Sequence, residues 1–228
     1  MKKKIGLLGG SFNPIHTGHL LLAESARDQY ELDMVLFIPT GNNPFKLSQD
    51  EIARKHRLKM VELAIAGNHN FEILTHEIDQ NGVTYTIDTI NSIKEIYPDC
   101  DFYFIAGADL MFEITLWKGA PELLKLVKFI TTFRPGYSHD RLDMRIKELQ
   151  EIYGASIFKL YATEMDIASS DIRSRIKNGY SIRYLLPETV EAYIHEHGLY
   201  LPAYSSEDSD ELDWDWGWSK KEAKPETV

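Results

Sequence analysis

The sequence predicts an α/β fold, a doubly wound parallel sheet with flanking helices. The first observation behind this is alternation: short apolar runs of strand type take turns with segments whose apolar residues recur at helical spacing. The second is that residues 102–106 and 129–133 are runs of the kind found in parallel strands buried on both faces. The third is that Gly9 and Gly10 directly follow the first run. Ligands of such sheets bind beyond the carboxyl ends of the strands, near the point where the winding reverses.

Taken in order, residues 4–8 form the first strand, and 17–30 form a helix through Leu22, Ala26 and Tyr30. Residues 35–39 are the second strand. Residues 51–66 are a helix with Leu58, Val61 and Ile65 on one face, His56 and Arg57 falling on its solvated face. An extended segment is expected over 71–78 and a helix over 86–97 through Ile87, Ile90 and Ile93. After the strands at 102–106 and 129–133 come a polar helix over 140–153 and a strand over 156–160. Two short helices close the body. One opens at Ser169 and Ser170 and stops near Gly179; the other opens at Pro187 and stops near Gly198.

Composition narrows the function. The chain has 228 residues, 43% of them hydrophobic, enough for one substantial core. A net charge of −10 argues against nucleic acid as the main partner, although a local cluster of donors still suits a small anion. Cys100 is the sole cysteine, which excludes an internal disulfide and a multi-cysteine zinc site and fits a reducing, cytoplasmic setting. No apolar run approaches the roughly 18 residues of a membrane span. The stretch after Lys2, Lys3 and Lys4 is too short for a signal peptide. From Ala203 onward eight Asp or Glu face three Lys, a net of −5 without apolar periodicity. Residues 203–228, with Trp214, Trp216 and Trp218, therefore read as a disordered acidic tail, or else a docking segment, after a folded domain of 1–202.

The first strand and its turn, GLLGGSFNPIHTGHLLLAESA, carry the strongest signal. Glycine lets backbone approach a ligand with no β-carbon in the way. The string is neither G-x-G-x-x-G nor a P-loop, so dinucleotide oxidoreductases and P-loop NTPases lose support. It runs instead through Asn13 and Pro14 to His16-Thr17-Gly18-His19 as a helix begins. A helix N-terminus offers free N–H groups and a partial positive charge, both suited to phosphate, and two imidazoles three residues apart add donors. A metal site finds no cysteine and no nearby carboxylate pair to complete it. Late in the chain, Ile167-Ala168-Ser169-Ser170-Asp171-Ile172-Arg173 starts another helix with good N-caps, and Arg173 one turn in can fork onto phosphate oxygens. Gly107-Ala108-Asp109 ends a strand, where a carboxylate commonly accepts from ribose hydroxyls.

These strings resemble the signatures of the nucleotidylyltransferase superfamily: H-x-G-H after the first strand of a Rossmann-like sheet, and a late S-S-x-x-[IV]-R. Within it, the chain is similar over residues 4–201 to the bacterial nicotinate-mononucleotide adenylyltransferases. The resemblance implies transfer of the adenylyl group of ATP to nicotinic acid mononucleotide, releasing pyrophosphate, in NAD biosynthesis. It gives His16, His19, Lys46 and Arg173 the triphosphate and the charge that develops on it. Gly9, Gly10, Ser11, Phe12, Gly107, Asp109, Ser169 and Ser170 join His16, His19 and Arg173 on the ATP side. Tyr85, Thr86, Trp117, Arg134 and Lys46 fall to the mononucleotide, with the Trp117 indole against the pyridine ring. The family often has His where this chain has Phe45. Mg²⁺ is expected to travel on the ATP phosphates with few protein ligands. A homodimer stays open, as do a phosphopantetheine adenylyltransferase, a cytidylyltransferase and an inactive nucleotide-binding sensor.

Overall fold

A computed structural model describes residues 2–41, 52–80, 83–132, 139–162 and 165–202. Lys46, Phe45, Arg134 and the segment 203–228 lie outside the described residues. The elements run β1 (Lys3–Gly10), α1 (Thr17–Tyr30), β2 (Met34–Pro39), α2 (Arg54–Ile65), β3 (Phe71–Ile73) and the short α3 (His76–Asp79). They continue with α4 (Thr86–Ile96), β4 (Cys100–Gly107), α5 (Ala108–Glu113), a 3-10 turn (Ile114–Leu116) and α6 (Ala120–Leu126). β5 (Lys128–Thr132), α7 (His139–Tyr153), β6 (Ser156–Leu160), α8 (Ser169–Lys177) and α9 (Glu188–Glu196) complete them.

The strands form one parallel sheet in the order β3-β2-β1-β4-β5-β6. Winding runs outward from β1 through β2 to β3, then restarts on the other side with β4. The reversal therefore falls between β1 and β4, whose registers pair Ile5 with Phe102 and Leu7 with Phe104. Side chains alternate across the pleat, so each strand feeds two cores. Leu8, Val35 and Phe37 pack with Ala23, Ala26, Met60, Val61, Ile172 and Val190 on the face covered by α1, α2, α8 and α9. Ile5, Leu7, Leu36 and Phe104 pack with Ile90, Met111, Leu123 and Leu142 under α4–α7. Fully burying one such side chain is worth about 1.5–3 kcal/mol, so the two layers hold the strand ends firmly.

Four local expectations need correction. The segment 71–78 is extended only to Ile73; His76–Asp79 is helical, because buried Glu77 and Ile78 turn inward there. The helix over α2 starts at Arg54, and its inward face carries Arg57, Met60, Val61 and Ile65, while Leu58 is half-buried. Arg57, expected in solvent, is 0% exposed. Asp109 stands in the first turn of α5 rather than at the strand end, since Gly107 both ends β4 and caps that helix. No described helix is long and apolar enough to cross a membrane.

Candidate active site

The loop after β1 sits at the switch point, and the sequence explains its shape. A β-carbon at Gly10 would lie 3.0 Å from the Phe12 ring, so Gly10 is what lets Phe12 fold back into the core. Phe12 holds a left-handed φ of 47° and is 1% exposed, wedged against Phe37 and edge-on to His19 at 5.1 Å. Its side chain is core, so the ligand contact expected at this position falls to its backbone. Strain of this kind persists where surroundings over-determine the conformation. Gly9 is exposed, and Gly10 and Ser11 are half-buried. The Asn13–Pro14 peptide bond is cis.

His16 caps α1 and His19 is its third residue. The His19 amide donates to His16 O at 2.9 Å, and the His16 amide donates back to His19 Nδ1 at 3.2 Å. Because Nδ1 accepts, the neutral His19 ring carries its proton on Nε2, which makes that atom a hydrogen-bond donor. The two rings stack at 3.7 Å with 29° between their planes. A β-carbon at Gly18 would fall 3.1 Å from His16 Nδ1, so the residue between the histidines must be small for the stack to form. Among the described residues no group of three His, Cys, Asp or Glu side chains is placed to hold a metal ion.

Donors from distant parts of the chain converge on this loop's carbonyls. Arg57 on α2 donates to Ser11 O at 2.7 Å and, from its other terminal nitrogen, to Thr40 O at 2.8 Å. Arg173 on α8 donates to Asn13 O at 2.8 Å, and the Ser169 hydroxyl donates to Pro14 O at 2.9 Å. Tyr200, past α9, donates its hydroxyl to Asn13 Oδ1 at 2.7 Å. Burial pushes the Tyr200 phenol well above its ordinary value, while the Arg173 and Arg57 guanidiniums act on it in the opposite sense. Both cations therefore bear on one buried point behind the loop. Ser169 was expected to cap α8; the cap is Ala168, Ser169 is spent on Pro14, and Ser170 is exposed.

The other expected residues lie at the end of β4, after the 3-10 turn and at the start of α4. Gly107 and Asp109 are half-buried where β4 passes into α5. Trp117 is half-buried, its indole edge-on to Phe104 at 6.4 Å and 87°. Tyr85 caps α4 and Thr86 is that helix's first residue, so Thr86 is not the cap. The Tyr85 ring is covered by the Lys118 ammonium at 4.0 Å. Sequence reading missed Arg57, Tyr200 and Glu77, the last being buried below the start of α4. The placement of His56 also differs: it is half-buried, bonded through Nδ1 to the Tyr193 hydroxyl at 2.9 Å. Desolvation, then the nearby Lys55 and His197, pull its pKa down.

Comparison with known proteins converges on one group. The cytidylyltransferase-like family matches residues 7–175. A probable nicotinate-nucleotide adenylyltransferase of Thermoanaerobacter sp. (strain X514) is 46% identical over 198 residues, covering 86% of this chain and 94% of the relative. A second, from Lachnoclostridium phytofermentans, is 40% identical over 199 residues, 87% of this chain and 100% of the relative. The nicotinic acid mononucleotide adenylyltransferase of Plasmodium falciparum, solved as a complex with NaAD, superposes with a TM-score of 0.68 at 22% identity, covering 87% of this chain and 97% of that one. At that identity the likeness is one of fold.

Proposed function

We propose a reaction and a division of labour for this chain, which belongs to the cytidylyltransferase-like family and, within it, to the nicotinate-nucleotide adenylyltransferases. The reaction is adenylyl transfer from ATP to nicotinic acid mononucleotide. An oxygen of the mononucleotide phosphate attacks the α-phosphorus of ATP, a new P–O bond forms, and the α–β bridging bond breaks. The products are nicotinic acid adenine dinucleotide and pyrophosphate. The observation that carries the division of labour is the stacked His16–His19 pair at the start of α1, beside the β1–β4 switch point.

The attacking phosphate is already ionised near pH 7, so no protein base and no covalent intermediate are needed. The barrier is lowered by alignment of the reactants and by donors aimed at the leaving pyrophosphate. His19 Nε2–H supplies such a donor, with His16 stacked behind, and the start of α1 adds its partial positive charge. Arg173 is held at the same loop through Asn13 O, which supports a place for it on the phosphates. Lys46 is assigned to the triphosphate, and Gly9, Gly10, Ser11, Gly107, Asp109, Ser169 and Ser170 to the rest of ATP. Tyr85, Thr86, Trp117 and Arg134 take the mononucleotide. Mg²⁺ enters on the ATP phosphates; a site of imidazoles, amides and guanidinium suits the anion, and the hard cation finds its oxygen ligands on the triphosphate itself. Free Cys100 and the use of ATP support a cytoplasmic setting.

The test is pyrophosphate release from ATP and Mg²⁺ with nicotinic acid mononucleotide, nicotinamide mononucleotide or phosphopantetheine supplied separately. Release with the nicotinate acceptor is expected. Release with phosphopantetheine alone discards the acceptor assignment, and ATP binding without release from any acceptor makes the protein a nucleotide sensor.

A further inference from the structure

Glu77 is a buried carboxylate, 7% exposed, on a helix of four residues far from the triphosphate loop in sequence. Its oxygens take hydroxyl donors from two sides of the α4 start. Thr89 Oγ1 donates to Oε1 at 2.7 Å, and Thr84 Oγ1 donates to Oε2 at 3.2 Å. Thr89 is itself 3% exposed and lies 3.4 Å from Tyr85 O, so the hydroxyl has a second acceptor within reach. The carboxylate thus ties the residue before Tyr85 to the first turn after Thr86. The Asp88 and Thr89 amides donate to Tyr85 O at 2.9 and 3.1 Å, so holding Thr89 also holds the residue that caps α4.

Glu77 also touches the other half of the site. A β-carbon at Gly41 would collide with Glu77 O and lie 3.5 Å from Thr84 Oγ1, so the exit of β2 packs directly on this knot. Arg57, which holds Ser11 and Thr40, reaches Gly41 O at 3.5 Å. A continuous chain of contacts therefore runs from the β1 loop to the start of α4.

We propose that Glu77 is a positioning residue for the acceptor: by clamping Thr84 and Thr89 it fixes Tyr85 and the first turn of α4 against the mononucleotide. This rests on the proposed reaction, with that turn as part of the acceptor pocket. The role is one of hydrogen-bond geometry, so the conservative amide preserves it and an apolar isostere abolishes it.

The experiment compares wild type with Glu77→Gln, Glu77→Leu and Thr89→Val, measuring kcat and both KM values by pyrophosphate release. Amide hydrogen exchange over residues 83–90 is recorded on the same proteins. Glu77→Leu and Thr89→Val are expected to raise KM for nicotinic acid mononucleotide by about tenfold, with KM for ATP within about twofold of wild type. Glu77→Gln is expected to restore the acceptor KM to within about threefold. Exchange at 83–90 should quicken in Glu77→Leu and Thr89→Val and not in Glu77→Gln. Thr89→Val covers the case in which Glu77→Leu fails to fold. The proposal is overturned if both KM values rise together, if neither rises, or if the glutamine variant behaves like the leucine variant. If wild type turns over no nicotinate acceptor, the reaction assignment fails, while the exchange data still report whether Glu77 fixes the turn.

Discussion

Replacing Arg57 with methionine isolates what a buried guanidinium does behind the catalytic loop. The side chain is 0% exposed and makes short bonds to Ser11 O and Thr40 O at 2.7 and 2.8 Å. Methionine fills most of the volume but takes the cationic donor away from two part-buried carbonyls, and a bond to a charged group is worth about 1.5–3 kcal/mol. Against this, removing a buried cation relieves a desolvation penalty that apolar replacements sometimes recover in full. With two such bonds lost, the first effect wins, and a net loss of about 2–4 kcal/mol is expected. For a body of about 200 residues that lowers Tm by roughly 4–16 °C. Differential scanning calorimetry measures the shift, and pyrophosphate release at a temperature where the variant is folded measures the site. Turnover should fall as well, because Arg57 holds Ser11 in the loop that the proposed reaction assigns to ATP. A Tm within about 1 °C of wild type, or full turnover, would refute the anchoring argument.

Three further outcomes follow from the same geometry. Gly18→Ala places a methyl 3.1 Å from His16 Nδ1, so kcat should drop by about tenfold while stability holds or rises by up to about 1 kcal/mol, since alanine favours helix; chemical denaturation and initial rates check the two separately. Tyr200→Phe removes the donor to Asn13 Oδ1 and should cost about 1–2 kcal/mol in urea unfolding. The folded Tyr200 pKa is raised, so its contribution is complete below the unfolded value near 10 and lost as pH climbs beyond it; wild type should lose more stability than Tyr200→Phe over that alkaline window. The Lys128 ammonium, 2.9 Å from Asp101, holds that carboxyl below its ordinary value, so its stabilisation is present above about pH 4 and fades as pH falls, modestly because both groups are more than a third exposed; Lys128→Met should flatten that acid limb in pH-dependent melts.

The strand–helix alternation was legible because each element of a parallel sheet repeats a local pattern. Runs such as residues 5–8 are buried on both faces and stay apolar throughout. His16, Gly18 and His19 were legible for a similar reason: their geometry is set within one helical turn. Arg57 was not. Next to Lys55 and His56 it reads as a polar helix face, and its burial follows only from Ser11 and Thr40 arriving from 46 and 17 residues away. Glu77 was hidden likewise, since its partners lie 7 and 12 residues on and nothing in the segment 71–78 marks a turn inward. Arg173 was visible as a cation one turn into a helix, but its bond to Asn13 spans 160 residues and belongs to the tertiary fold. Helices α5 and α6 are too short to show a helical period between β4 and β5.

The central claim is that the imidazole pair at the start of α1 stabilises the charge leaving with pyrophosphate. The direct measurement is kcat of His19→Ala with ATP, Mg²⁺ and nicotinic acid mononucleotide, alongside its circular dichroism and Tm. A fall of about 10²–10³ in kcat with an unchanged fold is predicted. Turnover close to wild type from a folded variant, or loss of the fold itself, would contradict it.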